Sequence, residues 1–153
     1  MNGIIYIYSD GACRGNPGPG GWGALLKYEN NKKEINGAKA LTTNNAMELT
    51  AVIESLKTIK KTSFKIIITT DSQYVKNGIT KWIIDWKIKN WKTSNKKLVK
   101  NRKLWEQLDL LTNNFNIEWR WVKGHTGHFG NERADELANI AIDTLLNHSN
   151  QIK

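Results

Sequence analysis

Five residues of this chain combine a reactive side chain with a position that could serve chemistry: Asp10, Glu48, Asp71, His125 and Asp135. Two of the acids directly follow apolar runs of strand length, and the other two fall in the first turns of segments with helical periodicity. The histidine lies in a loop with a glycine on either side. Each residue alone also has an ordinary explanation, because acids start turns and cap helices and many histidines are buried and satisfied.

The chemistry that such acids could perform together is metal binding. An acid that ends a buried strand is costly unless a cation or hydrogen bonds satisfy its charge. Loops at the carboxyl ends of strands meet at one edge of an open α/β sheet, so the four acids could converge there. Hard carboxylate ligands suit Mg²⁺ or Mn²⁺, and paired metal ions suit phosphodiester cleavage. A neutral imidazole nearby could accept or pass a proton at neutral pH.

The elements that must position these residues form a single α/β domain with a mixed sheet. The first three strands lack a long crossover and are predicted to pair antiparallel, while the fourth is predicted to have a parallel neighbour. Gly78 is predicted to end the helix that follows the fourth strand. The predicted strands cover residues 4–10, 22–28, 33–39, 64–69 and 115–122, and the predicted helices 44–60, 73–77, 80–91, 101–111 and 131–146, with a polar tail from 147.

The positive charge of the chain is concentrated in one segment. The 153 residues carry a net charge of +9, and residues 81–103, the basic segment, hold nine Lys or Arg and a single acid, Asp85. This distribution favours a polyanionic partner, although a solvated lysine-rich surface would look the same. The single cysteine, Cys13, cannot form an internal disulfide, and the chain has neither a membrane span nor a signal-peptide pattern, which fits a cytoplasmic protein.

Four segments in this order resemble type 1 ribonuclease H of the bacterial kind: DGACRGNPGPGGWG at 10–23, TTNNAMEL at 42–49, TTDSQYVKNGITKWI at 69–83 and WVKGHTGHFGNERADELA at 121–138. The resemblance covers nearly the whole chain. It implies an α/β ribonuclease H-like fold, a five-stranded mixed sheet with helices on both faces. It also implies a metal-dependent endoribonuclease that cuts the RNA strand of RNA/DNA hybrids and leaves 5′-phosphate and 3′-hydroxyl ends. Two Mg²⁺ ions with bound substrate, Mn²⁺ as a substitute, and a monomeric protein would be expected.

The resemblance also assigns roles to residues. The metal ligands would be Asp10, Glu48, Asp71 and Asp135, and His125 would be the mobile catalytic histidine. The RNA strand would contact Cys13, Asn16, Asn44, Asn45 and Gln73. The DNA strand would lie against Tyr74, Trp82 and Trp86, with one phosphate held by Thr43 and Asn101, and residues 81–103 would form a basic protrusion. The asparagines could instead serve turns and caps, and the tryptophans could be core residues.

Other functions remain open at this point. A catalytically silent hybrid-binding module would not require all four acids and the histidine. Another nuclease or strand-transfer enzyme could share the acids, but the TTNNAMEL segment and the basic protrusion favour the hybrid-specific family. A generic basic nucleic-acid binder would leave the acids unexplained. The chain departs from the family at Leu41 and Ala46, where arginine is often found, which leaves the strength of the phosphate pocket open, since Lys39 or Lys100 could compensate.

Overall fold

The computed structural model describes residues 3–60, 62–92, 99–123 and 128–152, with the side chains of 149–152 excepted. These ranges contain five strands and five α-helices. In chain order they are β1 (Ile4–Cys13), β2 (Gly18–Tyr28), β3 (Asn31–Thr42), α1 (Asn44–Lys57), β4 (Lys65–Thr70), α2 (Gln73–Asn77), α3 (Ile83–Ile88), α4 (Arg102–Thr112), β5 (Asn116–Trp121) and α5 (Phe129–Ile152). None of the helices in the described ranges is both long enough and apolar enough to cross a membrane.

The strands form one mixed sheet in the order β3-β2-β1-β4-β5. Strands β1, β2 and β3 pair antiparallel, whereas β4 runs parallel to both β1 and β5. The predicted five-stranded mixed sheet is therefore confirmed, including the antiparallel first three strands. Strands β1 and β4 are rich in isoleucine and lie in the middle of the sheet, where a strand is covered on both faces.

Helices cover both faces of the sheet. Gly11 of β1 meets α1, because a Cβ at Gly11 would lie only 2.5 Å from the backbone nitrogen of Glu48. On the opposite face, Gly23 of β2 meets α5 at Ala134. The largest core cluster lies on the α1 face. It includes Ile7, Leu49, Val52, Ile53, Ile66, Ile68, Val75, Trp105 and Leu108.

Helix α2 ends at Asn77, as predicted, but Gly78 does not stop the helical course of the backbone. Residues Gly78–Trp82 instead form one π-type turn that leads directly from α2 into α3. The backbone of Gly78 is right-handed helical, and a Cβ there would collide with the ring of Trp105. The glycine is thus required for the close approach of two helices rather than for a helix stop.

Several other boundaries differ from the predictions, among them the start of β2 at Gly18 and the ends of β1 and α5. Strand β1 continues past Asp10 to Cys13, because the residues after the acid still pair with β2. Helix α5 continues to Ile152, through the segment from Asn147 that was predicted to be a tail. That segment contains neither proline nor glycine, the two residue types that most readily interrupt a helix.

Candidate active site

Three of the four predicted metal ligands lie together at one edge of the sheet. Asp10, Glu48 and Asp71 each place one carboxylate oxygen within 4.8 Å of the others. They come from β1, from α1 and from the residue that follows β4. Asp10 and Glu48 are buried, with exposures of 2% and 4%, and Asp71 is half-buried.

The register of the parallel strands places the two aspartates side by side. The last parallel pair between β1 and β4 joins Tyr8 to Thr69. Asp10 lies two residues beyond Tyr8, and Asp71 lies two residues beyond Thr69. Both acids therefore leave the parallel ladder at the same level, at the carboxyl ends of neighbouring strands, where α/β sheets bind ligands.

Glu48 reaches this edge because α1 packs directly on β1. The absence of a side chain at Gly11 lets the backbone around Met47 and Glu48 approach the strand. Thr43 starts the helix, since its Oγ1 accepts a hydrogen bond from the Ala46 backbone N–H at 3.2 Å. The glutamate is thus brought beside Asp10 by backbone contact, and Thr43 serves a helix cap.

Asp71 is held by a set of hydrogen bonds around it. The indole Nε1 of Trp121 donates to the Asp71 carbonyl at 3.1 Å. The Ser72 backbone N–H donates to Thr70 Oγ1, also at 3.1 Å, and Ser72 Oγ caps α2 by accepting from the Val75 N–H. These bonds hold the backbone of the turn between β4 and α2, which carries Asp71.

The electrostatics of the group favour a bound cation. Burial raises the pKa of the Glu48 carboxyl well above its ordinary value, and the nearby carboxylates of Asp10 and Asp71 raise it further, against a lowering by a hydrogen bond from the Gly11 backbone. One oxygen of Glu48, Oε2, is buried without a hydrogen-bond partner in the described part of the chain. Clustered, buried carboxylate oxygens are the donor set that Mg²⁺ or Mn²⁺ prefers. The residues present therefore fit such an ion.

Asp135 lies outside this group of three. It is half-buried in α5, and the amide Nδ2 of Asn139, one turn later, donates to its backbone carbonyl at 3.0 Å and to its Oδ1 at 3.3 Å. Among the described residues the three-acid group does not include it. His125 falls in residues 124–127, outside the described residues, so its predicted role stays a prediction.

The residues predicted to contact RNA lie on segments that meet beside the carboxylates. The backbone N–H of Asn44, the first residue of α1, donates to Oδ1 of Asn16 at 3.1 Å and so joins the β1–β2 loop to the helix. Cys13 Sγ donates to the Gly15 carbonyl at 2.8 Å and lies 3.4 Å from the carbonyl of Thr42. Asn45 and Gln73 are exposed at the starts of α1 and α2.

The aromatic residues predicted to contact DNA form a continuous cluster. Tyr74 meets Trp82 edge-on at 5.6 Å between ring centroids, and Trp82 meets Trp86 at 5.8 Å. Trp86 and Trp91 are half-buried and pack against the core, so the core and contact interpretations of the tryptophans are compatible. Asn101, at the start of α4, donates from Nδ2 to the Tyr74 hydroxyl at 3.1 Å.

Two residues near the site were missed by the sequence reasoning. Asn131 is fully buried, and its Nδ2 donates to the Thr69 carbonyl at 3.1 Å, which ties the start of α5 to the end of β4. Trp105 is fully buried and donates from Nε1 to the Tyr74 hydroxyl at 3.0 Å. Both had been interpreted only as helix residues. The signal for Asn131 was a polar side chain on the inner face of a helix, whereas Gly78, the residue that packs on Trp105, had a sufficient local explanation as a helix stop.

Comparison with known proteins gives consistent matches over most of the chain. Residues 2–143 match the RNase H family model. The Ribonuclease H of Coxiella burnetii (strain Dugway 5J108-111) is 56% identical over 148 residues, which cover 97% of this chain and 96% of that protein. The Ribonuclease HI of Neisseria meningitidis serogroup B (strain MC58) is 58% identical over 139 residues, 91% of this chain and 95% of that protein.

Solved structures resemble the fold. LC9-RNase H1, described as a type 1 RNase H with the type 2 active-site motif, has a TM-score of 0.84 at 35% identity, covering 94% of this chain and 74% of that one. LC11-RNase H1, solved in complex with an RNA/DNA hybrid, has a TM-score of 0.69 at 25% identity, covering 93% of this chain and 99% of that one.

Proposed function

The chain belongs to the RNase H family, and on that premise we infer that it is an endoribonuclease that hydrolyses the RNA strand of RNA/DNA hybrids. The observation that carries the inference is the buried group of Asp10, Glu48 and Asp71 in a chain that matches the family over residues 2–143. A silent hybrid-binding module would gain nothing from three carboxylates that repel one another in the folded protein. The acids therefore favour the enzyme over the binding module.

We propose that Asp10, Glu48 and Asp71, together with Asp135 from α5, hold divalent metal ions, two when the substrate is bound. Mg²⁺ is the proposed ion, with Mn²⁺ as a substitute, because the donors are hard oxygens. When bound, such ions would stabilise charge on the phosphate and lower the pKa of a water molecule. The carboxylates themselves form a negatively charged site that attracts cations. Without a bound cation, the same charge would repel the phosphate of the substrate.

His125 is proposed to move a proton during the reaction. Imidazole titrates near neutral pH and can accept a proton from water or pass one to a leaving oxygen. The glycines at 124 and 127 would allow its loop to approach and leave the site. Metal binding does not require the histidine, because the carboxylates supply the ligands.

We propose that one set of side chains binds the RNA strand of the hybrid and another set binds the DNA strand. Amide and backbone groups around Asn16, Asn44, Asn45, Gln73 and Cys13 would read the 2′-hydroxyls that distinguish RNA from DNA. The aromatic cluster of Tyr74, Trp82 and Trp86 would pack on deoxyribose, with Thr43 and Asn101 at one DNA phosphate. The basic segment 81–103 would add affinity through further phosphates.

The test is a substrate panel. Labelled RNA/DNA hybrid, RNA/RNA duplex and DNA/DNA duplex are each incubated with the protein in Mg²⁺ and in EDTA. We expect internal cleavage of the RNA in the hybrid alone, with 5′-phosphate ends, and none in EDTA. Binding of the hybrid without cleavage in Mg²⁺ or Mn²⁺ would identify the silent module instead. We further propose a cytoplasmic monomer, which light scattering on the purified protein would check for oligomeric state.

A further inference from the structure

The hydroxyl of Tyr74 accepts hydrogen bonds from two side chains of another helix. Trp105 Nε1 donates to it at 3.0 Å, and Asn101 Nδ2 donates to it at 3.1 Å. A phenol oxygen has two lone pairs, so both are used in this arrangement. The three side chains therefore form one chain of hydrogen bonds that runs from the protein interior to Asn101.

The inner end of this chain is rigidly held. Trp105 is fully buried, and its ring packs against Tyr74 and Trp86 at 5.4 Å between centroids. Gly78 lies against the same ring so closely that even a methyl group would not fit. The indole is therefore closely packed on several sides, with its N–H directed at the Tyr74 hydroxyl.

The outer end of the chain is a residue in an unusual backbone conformation. Asn101 has φ of 59°, in the left-handed region, which asparagine tolerates better than most residues other than glycine. It stands at the start of α4, where asparagine normally caps the helix, yet its side chain makes no capping bond. The amide instead points to Tyr74, so a local signal for capping has been overridden by the tertiary contact.

We propose that Trp105 and the Tyr74 hydroxyl are positioning residues, which hold the amide of Asn101 ready to bind a phosphate of the DNA strand. This inference rests on the proposed function. An asparagine amide carries two N–H groups, and one bond to Tyr74 leaves the other for a phosphate oxygen. Fixing the side chain in advance removes an entropic cost from binding, so the chain raises affinity for the hybrid. In this proposal the three side chains make no contact with the phosphodiester that is cleaved.

Tyr74→Phe is the primary test, because it removes one oxygen and keeps the ring contacts with Trp82 and Trp105. We expect KM, and the dissociation constant for a fluorescent hybrid in EDTA, to rise by ~3- to 10-fold, the effect of one hydrogen bond, with kcat unchanged. Tyr28→Phe is the matched control, since Tyr28 stacks on Phe64 at the far end of β2 from the carboxylates. It should leave both constants unchanged.

A double-mutant cycle with Asn101→Ala separates the possible outcomes. If the hydroxyl acts through Asn101, Tyr74→Phe adds nothing to the KM of Asn101→Ala. Additive effects would overturn the proposal in favour of a direct contact between the hydroxyl and DNA. A loss of kcat at constant KM would overturn it as well. If Asn101→Ala binds the hybrid as tightly as wild type, Asn101 makes no important phosphate contact. That result would contradict this part of the proposed function, whatever the effect of Tyr74→Phe.

Trp105→Phe provides a second variant, which removes the Nε1 donor. It should reproduce the KM of Tyr74→Phe, and the two should not add. Because the indole is buried, thermal unfolding of this variant is measured alongside, and the Tyr74→Phe cycle decides the proposal if the variant does not fold. Equal KM for wild type and a folded Trp105→Phe would show that the tryptophan has only a packing role.

Discussion

Replacing Glu48 by glutamine should stabilise the protein in the absence of metal. Glutamine keeps the shape of the side chain and removes one charge from a group whose oxygens lie within 4.8 Å of one another. At that separation two unit charges repel by about 3 kcal/mol with an effective dielectric constant of about 20. The carboxylate group can relieve part of this repulsion by holding a proton. We therefore expect Glu48→Gln to raise the free energy of unfolding by ~1–3 kcal/mol at pH 8, or Tm by about 3–10 °C.

The gain should depend on pH in a definite direction. Burial and the neighbouring carboxylates raise the pKa of Glu48 in the folded state. Between its ordinary pKa and this raised value the folded protein binds more protons than the unfolded chain, so wild-type stability falls as pH rises through that window. Glutamine does not titrate. The advantage of the variant should therefore be fully present above the raised pKa and should shrink towards pH 4.5.

The assay is urea unfolding in EDTA across this pH range, for wild type, Glu48→Gln and Glu54→Gln. Glu54 lies on the same helix but is partly exposed and pairs with Lys57, so its substitution controls for loss of a helical charge. In Mg²⁺ the order should reverse, since wild type gains more from binding the ion. A Glu48→Gln variant less stable than wild type in EDTA at pH 8, or a gain that ignores pH, would refute the reasoning.

Three further outcomes follow from the site and its surroundings. Asp10→Asn should lower kcat by at least ~10²-fold, about 2.7 kcal/mol of barrier, while circular dichroism shows a folded protein; near-normal rates at saturating Mg²⁺ would remove Asp10 from the site. Replacing the exposed lysines at 81, 89 and 92 by alanine should raise KM and flatten the dependence of binding on salt, and a lowered kcat with an unchanged salt slope would contradict this. His125→Ala should lower kcat by ~10- to 10²-fold with KM and Mn²⁺ affinity unchanged, whereas His128→Ala should be nearly normal, and the reverse pattern would reassign the catalytic histidine.

Much of the sheet and of the carboxylate group could be predicted because the signals are local. The isoleucine runs of β1 and β4 end near acids, and a parallel order brings such ends together whatever the packing of the helices. Glu48 was a candidate from its position in the first turns of a helix, but its place beside Asp10 follows from the backbone contact at Gly11, which no local pattern encodes.

What could not be predicted lies in contacts between distant segments. Gly78 has the local character of a helix stop, but the ring of Trp105 determines its role. Asn101 has the local character of a helix cap, but its side chain binds Tyr74. In each case the deciding partner is a side chain whose orientation depends on how the helices pack or bond, which the local pattern does not record.

The shared register of Asp10 and Asp71 has a consequence for how the chain can change. Neighbouring strands are separated by about 4.8 Å. The distance between Asp10 and Asp71 is therefore set mainly by the separation of the two strand backbones rather than by the side-chain rotamers. Inserting one residue within β1 or β4 before the acid would turn its side chain to the opposite face and disperse the group. Insertions between Arg14 and Pro17, after the acid, would leave the spacing intact. The spacing of the two aspartates is therefore insensitive to insertions in the loop after Cys13 but sensitive to insertions in the strands before the acids.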